Sequence, residues 1–291
     1  MASSRRSPVS SEGRATRAPV DWKWNCKPSY PDYRGFPIGG CEDAATMPPY
    51  IDRLKARIGT SGAPAGYQRF SQRPGGGCNL SGDVTVTGNW WVDCPNFGVP
   101  NNRTLTFAGG NVVFQNGLSV PPNATIRFNT ANPKPSLPGA CRTAVEAAPC
   151  IGESSEKASF AYLRNGDLDI KGTVDGRRLM VYLSDSSALN LSGGAGPRWS
   201  APTEGPFTGL ALWGEKNDSG MSITGGGAMA LRGTFFLPHA TLNISGGGAM
   251  DQQQAQFISY RLKVSGGAGL RLAPDPSTAV SLPPKAASLI R

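Results

Sequence analysis

The chain has 291 residues, with 38 glycines, 25 prolines, 17% charged side chains and a formal net charge of +9. Glycine and proline together fall short of the ~25–30% typical of aperiodic disorder, and they suit many short strands separated by tight turns. No run of ~18 apolar residues is present, so no segment of the sequence reads as a membrane-crossing helix.

Taken from the start, residues 1–20 read as a disordered basic tail, because Ser, Arg, Pro and Ala leave scarcely any large apolar group to bury. Residues 1–35 hold seven basic side chains against three acids, yet no Lys/Arg run reaches five residues, so no nucleic-acid partner is expected. Residues 21–77 form a loop-rich, aromatic-rich cap with one helix over 48–59. Pro48 and Pro49 open it, Gly59 stops it, and Ile51, Leu54 and Ile58 share one face.

From residue 78 the pattern becomes strand after strand. Val84-Thr85-Val86-Thr87, Leu105-Thr106-Phe107, Leu118-Ser119-Val120 and Ala124 to Phe128 alternate apolar and polar, and Asn111 to Phe114 is a short apolar run. Residues 129–157, with Pro133, Pro135 and Pro138, read as an inserted loop. Strands resume at Ala158 to Leu163.

The second half repeats itself. Leu168-Asp169-Ile170-Lys171-Gly172 returns as Leu189-Asn190-Leu191-Ser192-Gly193, then Met221-Ser222-Ile223-Thr224-Gly225. Leu242-Asn243-Ile244-Ser245-Gly246 and Leu262-Lys263-Val264-Ser265-Gly266 follow. The central apolar positions, 170, 191, 223, 244 and 264, are spaced by 21, 32, 21 and 20 residues. The stretch Gly196 to Pro202 reads as an insertion of about eleven residues in the long step. A second strand per coil is expected at Leu179–Leu183, Gly209–Trp213, Thr234–Leu237 and Phe257–Tyr260.

A Leu-x-Ile-x unit points two apolar side chains to one side and can bury them only against units above and below. The glycines that follow supply corners at little steric cost. The fold class is therefore all-β: a parallel, right-handed β-helix or solenoid over 78–275 with ~20–21-residue coils, and a short tail at 276–291.

Six cysteines, Cys26, Cys41, Cys78, Cys94, Cys141 and Cys150, fall in sequential pairs around short Gly/Pro-containing loops. Disulfides 26–41, 78–94 and 141–150 are preferred among fifteen connectivities, and they imply work outside the cytosol. The alternative is six thiols in a reducing cytosol. A polar start, Met-Ala-Ser-Ser-Arg-Arg, carries no export signal, so an upstream export segment is expected to be missing from this sequence.

One longer stretch resembles a known family. It runs through Gly209-Leu210-Ala211-Leu212-Trp213, Met221-Ser222-Ile223-Thr224-Gly225 and Leu231-Arg232-Gly233-Thr234-Phe235-Phe236-Leu237-Pro238-His239-Ala240, and continues to Thr241–Gly246 and Ala255–Ile258. It is similar to the C-terminal region of bacterial Tad (tight adherence) pilus-assembly proteins of the TadE/TadG-like group. Cys78-Asn79-Leu80-Ser81-Gly82, Trp91-Val92-Asp93-Cys94-Pro95 and Gly109–Phe114 resemble actinobacterial members. The resemblance covers roughly 75–275 and implies a surface or pilus-associated structural role with no catalytic residues to carry over.

β-Helices also host polysaccharide lyases and hydrolases, which need clustered carboxylates. Asp167 and Asp169, two apart on a strand, face one side of the sheet, and Asp175 and Asp185 would join them if coils align. Glu204, Glu215 and Asp218 are weaker, in loops. Solvent-facing strand ends are the plainer reading. The only histidine, His239, follows Leu237-Pro238 at an expected coil corner with no nucleophile motif beside it. Trp22 and Trp24 are a further aromatic pair.

Trp90 and Trp91 point to opposite faces of a strand, so one of them can reach the surface to contact a sugar or a partner; a cap over the solenoid's open end is the preferred reading. Asn-x-Ser/Thr sequons at Asn79, Asn102, Asn123, Asn190, Asn217 and Asn243 read as solenoid composition. No metal or cofactor is expected. The partners are envelope or pilus-assembly proteins and surface polysaccharide, with end-to-end self-association through unpaired coil edges. A polysaccharide-binding or polysaccharide-cleaving β-helix is the alternative function.

Overall fold

The computed structural model describes residues 63, 66–129, 159–184, 186–193, 197–203, 209–214, 220–225, 229–246, 250–266 and 270–275. The basic tail, the helix over 48–59, nearly all of the inserted loop, the tail 276–291, Trp22, Trp24, Cys26, Cys41, Cys141 and Cys150 lie outside the described residues.

β1 (Gln68–Arg69) and a single 3-10 turn (Phe70–Gln72) precede a coil formed by β2 (Val84–Thr87) and β3 (Trp90–Val92). β4 (Thr104–Ala108), β5 (Asn111–Phe114) and β6 (Leu118–Val120) make the second coil. β7 (Thr125–Asn129), β8 (Ser159–Leu163) and β9 (Leu168–Ile170) make the third, and β10 (Thr173–Gly176), β11 (Leu179–Leu183) and β12 (Leu189–Gly193) the fourth. β13 (Arg198–Ser200), β14 (Leu210–Gly214) and β15 (Met221–Gly225) follow. The sixth and seventh coils are each one long strand, β16 (Ala230–Gly246) and β17 (Met250–Ser265), and β18 (Leu270–Leu272) opens an eighth.

Among the described residues every strand pairing is parallel and joins a strand to its counterpart about one coil away, in a single 18-stranded sheet. Three faces result. Face A stacks β2, β4, β7, β10, β13 and the start of β16. Face B stacks β1, β3, β5, β8, β11, β14 and the middles of β16 and β17. Face C stacks β6, β9, β12, β15 and the ends of β16 and β17. The expected parallel β-solenoid is the fold.

The repeat read from the sequence is the hydrogen-bond register of face C: Ile170 opposes Leu191, Leu191 opposes Ile223, Ile223 opposes Ile244, and Ile244 opposes Val264. In the first half Val86 opposes Phe107 and Phe107 opposes Phe128, again 21 residues apart. Each of these apolar residues except Val264 is buried, as strand alternation requires when one side of a strand faces the core.

The insertion in the long step is placed differently from the sequence reading. Arg198–Ser200 is not loop but β13, paired to Asp175–Gly176 on one side and to Ala230–Arg232 on the other. Register locates the extra residues. Asp175 to Val181 is six residues, whereas the equivalent Arg198 to Leu212 is fourteen, so eight of the eleven sit in the corner after β13. Pro197 and Pro202 bracket the strand and gave it the composition of a loop. Trp199, facing inward between them, makes it a strand that other coils must cover.

The core runs the length of the stack. At its N-terminal end Phe70 lies across the first coil, with ring centroids 5.9 Å from Trp90, 5.1 Å from Phe97 and 6.3 Å from Phe107. Phe70 and Phe107 are almost wholly buried. A small apolar void of about 10 Å³ lies between Phe114, Phe128, Leu163, Val181 and Trp199, too small for more than about one water.

Candidate functional site

The first coil combines a covalent link with a charged clamp. Cys78 and Cys94 are disulfide-bonded, with Cα atoms 5.6 Å apart, closing a 16-residue span that contains β2 and β3. Asp93, next to Cys94, accepts from Arg69 Nε at 2.8 Å and Ser71 Oγ at 2.9 Å, and from the Ser71 backbone N–H at 3.2 Å. Burial pushes the Asp93 carboxyl upward, but the Arg69 and Ser71 hydrogen bonds outweigh it and hold the group below its ordinary value of 3.8. The clamp ties β1 and the 3-10 turn, and with them Phe70, onto the end of the stack. Sequence reading passed over Asp93 and Phe70. The available signal was an acid inside a Cys-framed segment, but its partners lie 22 to 24 residues away.

Trp90 and Trp91 do point to opposite sides of β3, but neither ring is presented to solvent. Each is 3% exposed, so the alternative of an exposed aromatic for stacking on a sugar or a partner is not met. Trp90 faces the core beside Phe70, its Nε1 donating to the Thr87 carbonyl at 3.0 Å. It belongs to the terminal cap. Trp91 faces outward, with the Arg164 guanidinium 6.0 Å from its ring centroid.

The physical reason is a second apolar layer on the outer side of face B. Trp91, Val113, Tyr162, Tyr182, Trp213 and Phe236 occupy one register column, and all are buried. Tyr162 and Tyr182 pack tilted with ring centroids 5.1 Å apart, and Trp213 and Phe236 likewise at 4.6 Å. Strands apolar on both sides read as continuous runs and not as alternations. Phe160 to Leu163, Leu179 to Leu183 and Leu210 to Trp213 have that form.

The candidate carboxylates do not converge as a set. Asp167 and Asp169 flank inward Leu168, as expected, but Asp167 accepts the Ala188 backbone N–H at 2.9 Å and Asp169 pairs with Lys171 at 3.0 Å. Asp175 stands on face A, one face away from Asp169 on face C, and pairs with Arg177 at 3.2 Å. It therefore does not join them. Asp185, Glu204, Glu215 and Asp218 lie outside the described residues. His239 lies within β16 where the register shifts between Leu237 and Thr241, at the turn from face B to face C, as a corner position requires.

Among the described residues no group of three His, Cys, Asp or Glu gathers as metal ligands would, and no helix is long and apolar enough to cross a membrane. The fold and the stapled first coil together define a disulfide-bonded parallel β-solenoid. A disulfide of this kind is at home in an oxidising compartment. Comparison with protein-family models, with curated proteins and with solved structures finds no match for this chain.

Proposed function

We propose that this chain is a non-enzymatic structural module of the bacterial envelope, linked to pilus assembly or adhesion and working outside the cytoplasm. The observation that carries the reading is the Cys78–Cys94 bond across the first coil of a long parallel stack. That Cys-framed segment is also the more specific part of the resemblance to TadE/TadG-like proteins. On this reading the mechanism is physical: a rigid rod presents its faces and ends to envelope or pilus-assembly proteins and to surface polysaccharide, and no cofactor takes part.

The test is made in the bacterium that carries the chain. Protease applied to intact cells removes the protein, cysteine alkylation before reduction leaves Cys78 and Cys94 unlabelled, and deletion lowers pilus number or adhesion. Protease protection with both cysteines freely alkylated would overturn the proposal.

A further inference from the structure

Among the described residues, the outer side of face A carries a concentration of arginine that no other face shares. Arg127 of β7 opposes Asp175 of β10, which opposes Arg198 of β13. Their strand neighbours Ile126, Val174 and Trp199 are buried, so these three side chains point outward. Arg232 of β16 pairs with Ser200, two residues along from Arg198 and one strand further. The turn after β10 adds Arg177 and Arg178, and the Arg178 backbone N–H donates to Ser200 Oγ at 3.0 Å, which sets that turn beside β13.

All five arginines are exposed. Asp175 neutralises Arg177 at 3.2 Å. The side chains of Arg127, Arg178, Arg198 and Arg232 have no ion-pair partner among the described residues.

The distribution of charge is uneven enough to decide something. Of the formal +9, residues 1–35 account for +4, and these five arginines with Asp175 account for another +4. The rest of the chain is close to neutral, so the arginine field is not a by-product of a generally basic surface. Its geometry is that of a ruler. Rungs repeat every ~4.8 Å, which sets Arg127 and Arg198 about two rungs apart, comparable with one disaccharide repeat. Thr125 and Thr173, two residues before Arg127 and Asp175 on their strands, and Ser200, opposite Arg232, add partly exposed hydroxyl side chains to the same face.

We infer that face A from the third to the sixth coil binds an acidic polysaccharide, with guanidinium groups on successive carboxylates and hydroxyl groups on the sugar ring. A flat sheet face suits an extended polymer better than a DNA groove, which admits a helix or a two-stranded ribbon. Among the described residues it also offers no outward aromatic ring beside the arginines for base stacking, and the exposed apolar side chain there, Ala230 opposite Arg198, is too short to enter a lipid surface. The inference deepens the envelope reading and rests on it for where the polymer is met.

The test is calorimetric titration of the full chain with polygalacturonate, with neutral dextran as the control. Two variants are compared: Arg127→Gln/Arg198→Gln/Arg232→Gln on face A and Lys171→Gln/Lys263→Gln on face C. The expected result is binding to polygalacturonate alone, about tenfold weaker in the arginine variant and unchanged in the lysine variant, with equal melting temperatures throughout. Equal affinity of wild type and arginine variant would overturn it. So would arginine-dependent binding that is tighter to duplex DNA or to anionic vesicles than to polygalacturonate. Because the purified chain is used, failure here leaves the cellular location untouched, and failure of the protease test leaves this result standing.

Discussion

Trp199 shows how one residue turns apparent loop into structure. Its indole is 2% exposed, donates from Nε1 to the Leu179 carbonyl at 3.1 Å and meets Phe235 edge-on at 5.2 Å. Trp199→Ala should cost about 3–5 kcal/mol, measured as a lower urea midpoint. A cost under 1 kcal/mol would show that β13 is not held by its core contact.

Asp93 acts on a different variable. Because its folded-state pKa is depressed, its contribution is present above the unfolded value near 3.8 and is lost as pH falls through the folded value. The stability gap between wild type and Asp93→Asn should therefore be open at pH 7 and close as the pH falls below the unfolded value and through the lowered folded one. A gap constant with pH would rule the carboxylate out as the source.

Gly246 shows a third kind of residue constraint. It lies in register between Gly225 and Gly266, and a Cβ there would run into the Gly225 carbonyl oxygen. The first glycine of the repeat thus serves close approach of stacked corners, and Gly266, the same position one coil later and at φ +108°, adds the positive-φ corner that the sequence suggested. Gly246→Ala should cost about 1–3 kcal/mol, seen in thermal unfolding.

At the scale of the element, most strands were legible because each coil must bury its inward side chains against the next. The repeat Leu-x-Ile-x-Gly therefore carries the register itself, and the structure pairs Ile170, Leu191, Ile223, Ile244 and Val264 in that order. β10 and β13 were not read. Thr173–Gly176 is short and Arg198–Ser200 is bracketed by prolines, so neither is long enough to show a period. The continuous apolar runs of face B were read as strands, but their burial on both sides was not.

The disulfide belongs to this scale, since it staples an element and not a single contact. Cys78→Ser/Cys94→Ser should lower stability by about 3 kcal/mol, as expected for a loop of this length. The loss should match that of the reduced wild type in denaturant titration. A variant as stable as the oxidised protein would mean that the Asp93 clamp alone secures the first coil.

At the scale of the molecule the two ends differ. Phe70 closes the N-terminal end. At the other end Leu262 and Val264 hold the positions that Leu242 and Ile244 fill one coil earlier, yet they are 41% and 51% exposed. An association made through the open end alone is two-fold and stops at a pair, whereas head-to-tail stacking needs both ends free. Sedimentation at rising concentration should therefore show monomer and dimer only, and Leu262→Lys/Val264→Lys should shift the balance to monomer. A continuing ladder of larger species would mean that the N-terminal end is available too.

By itself the sequence determined the fold class, the coil length and the face C register, because burial by stacking writes a period of about 21 residues into the apolar positions. It also paired Cys78 with Cys94 across a short loop. Only the tertiary structure decided which side chains are exposed, since strand alternation gives a side chain's direction and not what lies over it. That is why Trp91 turns outward and is still buried. Likewise Asp175 stands on a different face from Asp169, and arginines 127, 178, 198 and 232, up to 105 residues apart in sequence, meet on one face.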